Sequence, residues 1–231
     1  MKRAMKKSEF INYIQSLKSF QNPKIAYEQY QTDAIATADL FFHMAFELND
    51  LSENLIVDLG AGTGNFTIAA ILLGCSKVIA VDLDTKALSI LKENASEFNI
   101  YNKIHIIHAD LREKDITYEI ENFKNENFDE NSKIVVVSNP PFGVHNKGAD
   151  IIFLSQAFKF ADIIYSIHNS DEKTRAYLAK KIAKFGGIVS ERATLYLMLK
   201  KTYKFHSKKV KRIKTDVYRI VNKKKGIHSQ K

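Results

Sequence analysis

Two stretches of this 231-residue chain carry residue types at spacings that chemistry could use. The first is Val57-Asp58-Leu59-Gly60-Ala61-Gly62-Thr63-Gly64, running from a β-branched stretch straight into a helical one. Glycines there let a ligand approach the backbone closely. A dinucleotide fold spaces them Gly-x-Gly-x-x-Gly, the last permitting tight helix packing beside a pyrophosphate. Here Gly60, Gly62 and Gly64 alternate and position 65 is Asn. That spacing argues against NAD and for S-adenosylmethionine, whose methionine arm carries no phosphate and can be held by backbone groups and an acid such as Asp58. Asp82, at the end of the next β-branched run, can accept hydrogen bonds from both hydroxyls of a ribose. Asp84 reads as a surface residue near a helix start. Asp110 is either an acceptor for the cofactor's adenine amino group or the cap of a turn.

The second stretch is Asn139-Pro140-Pro141-Phe142, directly after the apolar run Ile134 to Ser138. An aromatic or amide-type amine is a poor nucleophile because its lone pair is delocalised. An enzyme acting on one must hold both N–H groups with acceptors and aim the nitrogen at an activated methyl. Asn139 offers a side-chain carbonyl, the Pro140 carbonyl offers a second acceptor from a backbone stiffened by Pro140 and Pro141, and Phe142 offers a flat face to a base. No cysteine nucleophile or strong general base is required, so catalysis would be positioning plus electrostatics. A base treated this way must be unpaired or flipped out of its stack.

Short β-branched runs alternate with longer segments of helical period, the pattern of a parallel sheet with crossover helices, and open sheets of this kind bind ligands at the carboxyl ends of their strands. Strands are expected at 55–59, 77–81, 104–108, 134–138, 162–168, 188–197 and 215–221. Helices are expected at 65–73, 85–98, 150–161 and 171–185, with Thr85, Asp150 and Asp171 as N-caps. Residues 7–21 and 34–48 read as helices outside the sheet, and 111–133 shows only amphipathic fragments. Residues 1–50 form an N-terminal helical extension and cofactor lid, 51–222 the main α/β domain with a basic segment at 200–214, and 223–231 a basic tail. Gly143 to Ala149 reads as a mobile lid flanked by glycines.

The net charge of +9 is unevenly spread: +5 over residues 1–24, −8 over 25–199 and +12 over 200–231. Basic ends on an acidic globule point to a polyanion held at a defined edge. Tyr203, Phe205 and His206 interleave with Lys204, Lys208 and Lys209, which suits RNA: rings stack on bases and cations hold phosphates. Lys147 reads as a phosphate contact. His168 is either a hydrogen-bonded structural histidine or a substrate contact. The lone Cys75, in an apolar helical run, excludes an intramolecular disulfide and a cysteine-cluster metal site, and no metal is expected. No run is long and apolar enough to span a bilayer, and the N-terminus is not an apolar signal segment, so a soluble, cytoplasmic protein is expected.

With these residues assembled, the chain resembles class I methyltransferases of the Asn-Pro-Pro-aromatic group. It is most similar to the small-subunit rRNA adenine-N6 methyltransferases of archaea and eukaryotes, the methyltransferase-like protein five type. Besides the two motifs, the resemblance rests on Glu28-Gln29-Tyr30-Gln31-Thr32, Gly143 with Lys147-Gly148, Tyr165-Ser166-Ile167-His168, and Tyr203-Lys204-Phe205-His206 with Lys208 and Lys209. It implies a Rossmann-like sheet of about seven mostly parallel strands with helices on both faces, the last strand antiparallel between the fifth and sixth. It also implies that Gln29 and Thr32 close over the cofactor, that Asp58, Gly60, Asp82 and Asp110 contact it, and that Asn139 through Phe142 bind the target adenine. Asp33 departs from the proline common after the Gln-Tyr-x-Thr segment. The family commonly works with a small zinc-binding activator, for which the unguarded strand 104–108 would be the pairing edge. Rival readings are methylation of a glutamine amide in protein, methylation of adenine in DNA, and a non-catalytic RNA-binding scaffold.

Overall fold

A computed structural model of the chain describes residues 5–24, 27–30, 32–142, 148–200 and 210–226. Seven strands form one sheet in the order β3-β2-β1-β4-β5-β7-β6. They are β1 (Leu55–Leu59), β2 (Val78–Asp82), β3 (Ile104–His108), β4 (Ile134–Ser138), β5 (Ile163–Asn169), β6 (Gly187–Lys200) and β7 (Val210–Asn222). The first five pair in parallel, and β7 runs antiparallel between β5 and β6. β1 and β4 lie at the centre with every residue buried, which explains why they read as unbroken apolar runs rather than alternating ones.

Alternation along the strands divides the core. Ile56, Val135, Val137, Ile163 and Ile167 face α1 (Lys7–Ser16), α2 (Ala34–Phe42) and α3 (Asn65–Leu72), while Ala80 faces α4 (Thr85–Glu97) on the same side. Val57, Leu59, Val136 and Ile164 face α5 (Thr117–Asn127), α6 (Ala149–Phe160) and α7 (Glu172–Phe185) on the other. The N-terminal helices contribute Phe10, Ile14 and Phe41 to the first of these cores, so they are part of the same packed body. A short α8 (Lys223–Gly226) ends the described chain.

Several boundaries differ from the sequence expectation, each for a local reason. α1 stops at Ser16 because Asn94, fully buried on α4, takes both backbone groups of Lys18: the Lys18 N–H donates to Asn94 Oδ1 (2.9 Å) and Asn94 Nδ2 donates to the Lys18 carbonyl (3.0 Å). The helix expected at 34–48 is α2 followed by a π-helical turn over His43–Glu47, and Asp33 caps it by accepting from the N–H groups of Ile35 and Ala36. Asp84, not Thr85, caps α4. Gly148, at φ 80°, precedes α6, and Asp150 lies inside that helix. Asp171 caps α7 as its type suggests. α5 lies in the polar stretch read only as fragments, held by buried Ile116 and Ile120. β6 and β7 run well past their expected ends. Cys75 lies beyond the end of α3 rather than within it, buried, with its thiol pushed up to about 12 by that burial.

Candidate active site

The carboxyl ends of β1, β2 and β4 meet the N-terminal segment 17–32 around two adjoining pockets, which share Phe20, Tyr30, Gly60, Gly62 and Asn139. In the turn after β1, Gly60 and Gly62 both have positive φ (79° and 54°). A Cβ on Gly60 would come within 2.9 Å of the Phe153 ring, and one on Gly62 within 2.9 Å of the Phe20 ring. Space here is reserved for backbone, as a close-lying ligand requires. Gly64 is different. It lines neither pocket, and a Cβ there would sit 2.8 Å from Leu91 Cγ, so this glycine, expected to contact cofactor, serves the packing of α3 against α4.

Asp58 is buried beside the smaller pocket, and its hydrogen bonds among the described residues, from Thr67 N (2.9 Å) and Thr67 Oγ1 (2.7 Å), both fall on Oδ2. Burial pushes its carboxyl up to about 7, with the neighbouring Asp82 charge adding to the rise and the Thr67 bonds opposing it. Asp82 accepts from Gly62 N on Oδ2 and Asp84 N on Oδ1, each at 2.8 Å, so it shapes the glycine turn while lining the larger pocket. Its burial raises its pKa, and those backbone donors moderate the rise.

Asp110 also lines that pocket, but it caps its own turn through Arg112 N and is held bidentately by the Arg112 guanidinium, which lowers its pKa. The turn-capping alternative is thus present, at a residue that also borders the pocket. Asp84, expected at the surface, is only 6% exposed. It accepts from Gln29 Nε2 (2.8 Å) and pairs with Lys24 Nζ (3.1 Å), and although burial alone would raise its pKa, these partners hold it lowered. Gln29 in turn accepts from Lys24 N at 2.8 Å. Its amide thus spans two protein groups while its side chain borders the pocket.

Asn139 carries the decisive geometry. Its Nδ2 donates to Thr32 Oγ1 at 3.0 Å, and its Oδ1 is buried with no hydrogen-bond partner among the described residues. A buried acceptor left empty costs on the order of 1–3 kcal/mol, and this one borders both pockets. Thr32 is itself anchored, its carbonyl accepting from Asn65 Nδ2 at 2.7 Å. Pro140 is buried and Pro141 lines the larger pocket. The Phe142 N–H donates to Glu28 Oε2 at 2.7 Å, and its ring lies 5.9 Å from that of Tyr30.

This arrangement, an empty amide acceptor beside a pocket of glycine backbone and strand-end carboxylates, accords with what the chain is similar to. It is 34% identical to the Drosophila melanogaster rRNA N(6)-adenosine-methyltransferase Mettl5 over 90% of this chain and 92% of that one. The Danio rerio METTL5 is 32% identical over 94% and 99%. The chain belongs to the METTL5 family. A crystal structure of a Pyrococcus horikoshii protein assigned as an RNA methyltransferase superposes with a TM-score of 0.78 at 34% identity, covering 94% of this chain and 96% of that one. A family model described as ribosomal protein L11 methyltransferase (PrmA) matches residues 37–139. That match ends at Asn139, so it covers the glycine loop and the strand-end acids but only the first residue of the Asn-Pro-Pro-Phe motif.

For a METTL5 relative, some expected substrate contacts fall elsewhere. His168 is 2% exposed, with Nε2 at 2.8 Å from Ser166 Oγ and Nδ1 at 3.2 Å from Asp150 Oδ2. Both ring nitrogens are satisfied inside the protein, so the structural alternative is the one found, and the ring ties β5 to the start of α6. Lys147, Tyr203, Lys204, Phe205, His206, Lys208, Lys209 and residues 143–147 of the lid expected at 143–149 lie outside the described residues. Among the described residues no cluster of metal-ligating side chains occurs, and no helix is long and apolar enough to cross a membrane. Sequence reasoning missed Glu28, Asn65, Asn94, Phe20 and Phe153. Two of them had a signal: Asn65 breaks the dinucleotide spacing, and Glu28 opens the Glu-Gln-Tyr-Gln-Thr segment.

Proposed function

We propose that the chain transfers a methyl group from S-adenosylmethionine to the exocyclic N6 amine of an adenosine in RNA, acting in the cytoplasm; its relatives are named for rRNA, and the sequence resemblance narrows this to small-subunit rRNA. The observation that carries this reading is the buried, unpartnered Asn139 Oδ1, held in place by Thr32. S-adenosylmethionine, when bound, supplies a methyl on a positively charged sulfonium, already activated. The chain's part is then to hold, orient and exclude water. Asp58 would take the methionine ammonium, Gly60 and Gly62 would give backbone room along the arm, and Asp82 and Asp110 would accept from the nucleoside. Asn139 Oδ1 accepts one N6 hydrogen and the Pro140 carbonyl the other, drawing the amine lone pair out of conjugation, and Phe142 covers the base. The amine loses its proton to water after transfer, so no general base is needed.

A nucleic acid is favoured over a glutamine amide by the charge of the C-terminal segment, +12 over residues 200–231, and RNA over DNA by the rRNA relatives. Lys147, Tyr203, Lys204, Phe205, His206, Lys208 and Lys209 belong to this reading as RNA contacts. An activator protein pairing with β3 is part of it too. Among the described residues β3 is an edge of the sheet, and Ile104 and Ile106 are half-buried with no lysine or proline between them. A chain that stays monodisperse and ignores a zinc-binding activator would remove that partner. The test of the whole reading is transfer of labelled methyl to small-subunit rRNA followed by nucleoside analysis. Label in N6-methyladenosine, lost in Asn139→Ala, supports it; label found only in protein or DNA overturns it.

A further inference from the structure

The β6–β7 hairpin outruns the sheet. β5 pairs with β7 only as far as Asn169↔Thr215, whereas β6 and β7 continue to pair through Tyr196↔Lys214 to Lys200↔Val210. The five residues 210–214 therefore extend roughly 17 Å past the end of β5, on the carboxyl edge where β4 delivers Asn139, and strand spacing puts β7 about 10 Å to the side of β4. Alternation gives this arm two unlike faces. Leu197 and Val217 are buried against the first core, and Leu195 packs there too. On the other face Arg192, Thr194, Tyr196, Arg212 and Lys214 are exposed. The one carboxylate on that face, Asp216, is fully buried and neutralised by Arg175 at 2.6 Å, with Thr194 Oγ1 as a further donor. The exposed face is thus purely cationic.

On it, the Arg212 guanidinium lies 3.7 Å from the centroid of the Tyr196 ring, and the tyrosine remains 45% exposed. An aromatic ring and a guanidinium stacked on an uncovered basic strand face form the platform on which single-stranded bases stack, with neighbouring cations left for phosphates. We infer that this face, centred on Tyr196 and Arg212, receives a single-stranded nucleotide flanking the target adenosine and holds it by stacking. The inference rests on the RNA reading above, because a target base turned into the pocket beside Asn139 leaves its neighbours unstacked along this edge.

Ring and cation contribute differently to binding, which makes the platform testable. Binding of a short fluorescein-labelled single-stranded RNA is measured by anisotropy across a salt series for the full chain, Tyr196→Ala, Tyr196→Phe and Arg212→Ala, with melting temperature and cofactor affinity as controls. Tyr196→Ala weakens binding roughly tenfold at every salt concentration, Tyr196→Phe binds like the unmodified chain, and Arg212→Ala both weakens binding and lowers the log–log salt slope by about 0.7. Photocross-linking of the unmodified protein to halogenated RNA, mapped by peptide mass, places a cross-link on the Tyr196 peptide. This second measurement needs no variant to fold. Unchanged affinity in Tyr196→Ala and Arg212→Ala, a Tyr196→Phe loss as large as the alanine loss, or cross-links confined to other peptides each overturn the platform. Methyl transfer to RNA by the unmodified chain is run alongside. Its absence refutes the RNA reading, whereas its presence with unaltered variants refutes only the hairpin.

Discussion

Replacing Asp58 by asparagine should make the cofactor-free protein more stable and the cofactor weaker, because at this position the pocket works against the fold. The carboxyl is buried and its only hydrogen-bond donors among the described residues are the N–H and hydroxyl of Thr67, so it holds its proton up to about pH 7 instead of the ordinary 3.8. The sign follows from proton counting: between those values the folded chain carries this proton and the unfolded chain does not. Stability attributable to Asp58 is whole below 3.8, falls by about 1.4 kcal/mol per pH unit as pH rises, and stays low above about 7. The full loss is on the order of 4 kcal/mol, an upper figure because a hydrated pocket relaxes around a charge. Asparagine has no proton to lose, and its Oδ1 can still accept from both Thr67 donors. Urea unfolding of the two proteins without cofactor, at about pH 5 and about pH 8, should show Asp58→Asn more stable by a few kcal/mol at the higher pH, with most of the gap gone at the lower. Calorimetry should show the reverse for the ligand, with Kd raised roughly tenfold to hundredfold by loss of a charge-assisted bond. In the unmodified chain the same bond should weaken as pH falls below about 7 and the carboxyl protonates. A variant no more stable than the unmodified chain at about pH 8, or a gap that does not change with pH, would refute the reasoning.

Asn139→Ala should abolish transfer while leaving cofactor Kd nearly unchanged, measured by single-turnover kinetics and calorimetry. Thr32→Val keeps the shape but removes the acceptor that fixes the Asn139 amide, so kcat should fall roughly tenfold or more, in line with the about 1–3 kcal/mol that such a positioning bond carries. Asn94→Ala strips partners from the Lys18 N–H, the Lys18 carbonyl and the Thr63 carbonyl. It should cost at least about 2 kcal/mol in urea unfolding and loosen cofactor binding. Asp50→Ala would leave the half-buried Arg219 without the carboxylate that pairs with both Nε and Nη2, and should cost up to about 3–5 kcal/mol.

The centre of the sheet was legible because its strands are short and buried on both faces: β1 and β4 begin and end where the sequence runs do, and the half-buried edge strand β3 was marked by its isoleucines. The antiparallel β7 came from the family resemblance, since no local pattern distinguishes strand direction. α5 was hidden because its buried Ile116 and Ile120 stand among Asn, Glu and Lys, which dilute the helical period. The residues that bear on the site were legible in type more than in partnership. Thr32 stood out through the Gln-Tyr-x-Thr segment as a cofactor lid, yet its bond to Asn139 joins positions 107 apart, and Asn94 reaches Lys18 across 76. Asp84 was read as a surface acid because Asp beside Thr-Lys is the ordinary start of an exposed helix. Its burial depends on Gln29, 55 residues earlier, folding back onto it.

Those long-range bonds share one physical purpose. Methyl transfer requires the nitrogen and the methyl to be held in line within a near-attack distance, and an error of about 1 Å can cost a hundredfold in rate. In the proposed reading the groups facing the methyl donor come from the turns after β1 and β2, and those facing the amine from the turn after β4. The segment 17–32 spans both. On one side Lys24 and Gln29 grip Asp84, and Asn94 grips Lys18; on the other Thr32 holds Asn139 and Glu28 holds the Phe142 N–H. Glu28 does so from a left-handed backbone conformation, φ 50°, which costs a non-glycine residue about 1–2 kcal/mol. A chain serving only to cover the cofactor would gain nothing from that strain at the acceptor motif. Losses in this segment should therefore appear in kcat before they appear in cofactor affinity, and Glu28→Gln, which keeps an acceptor for the Phe142 N–H, should lose less than Glu28→Ala.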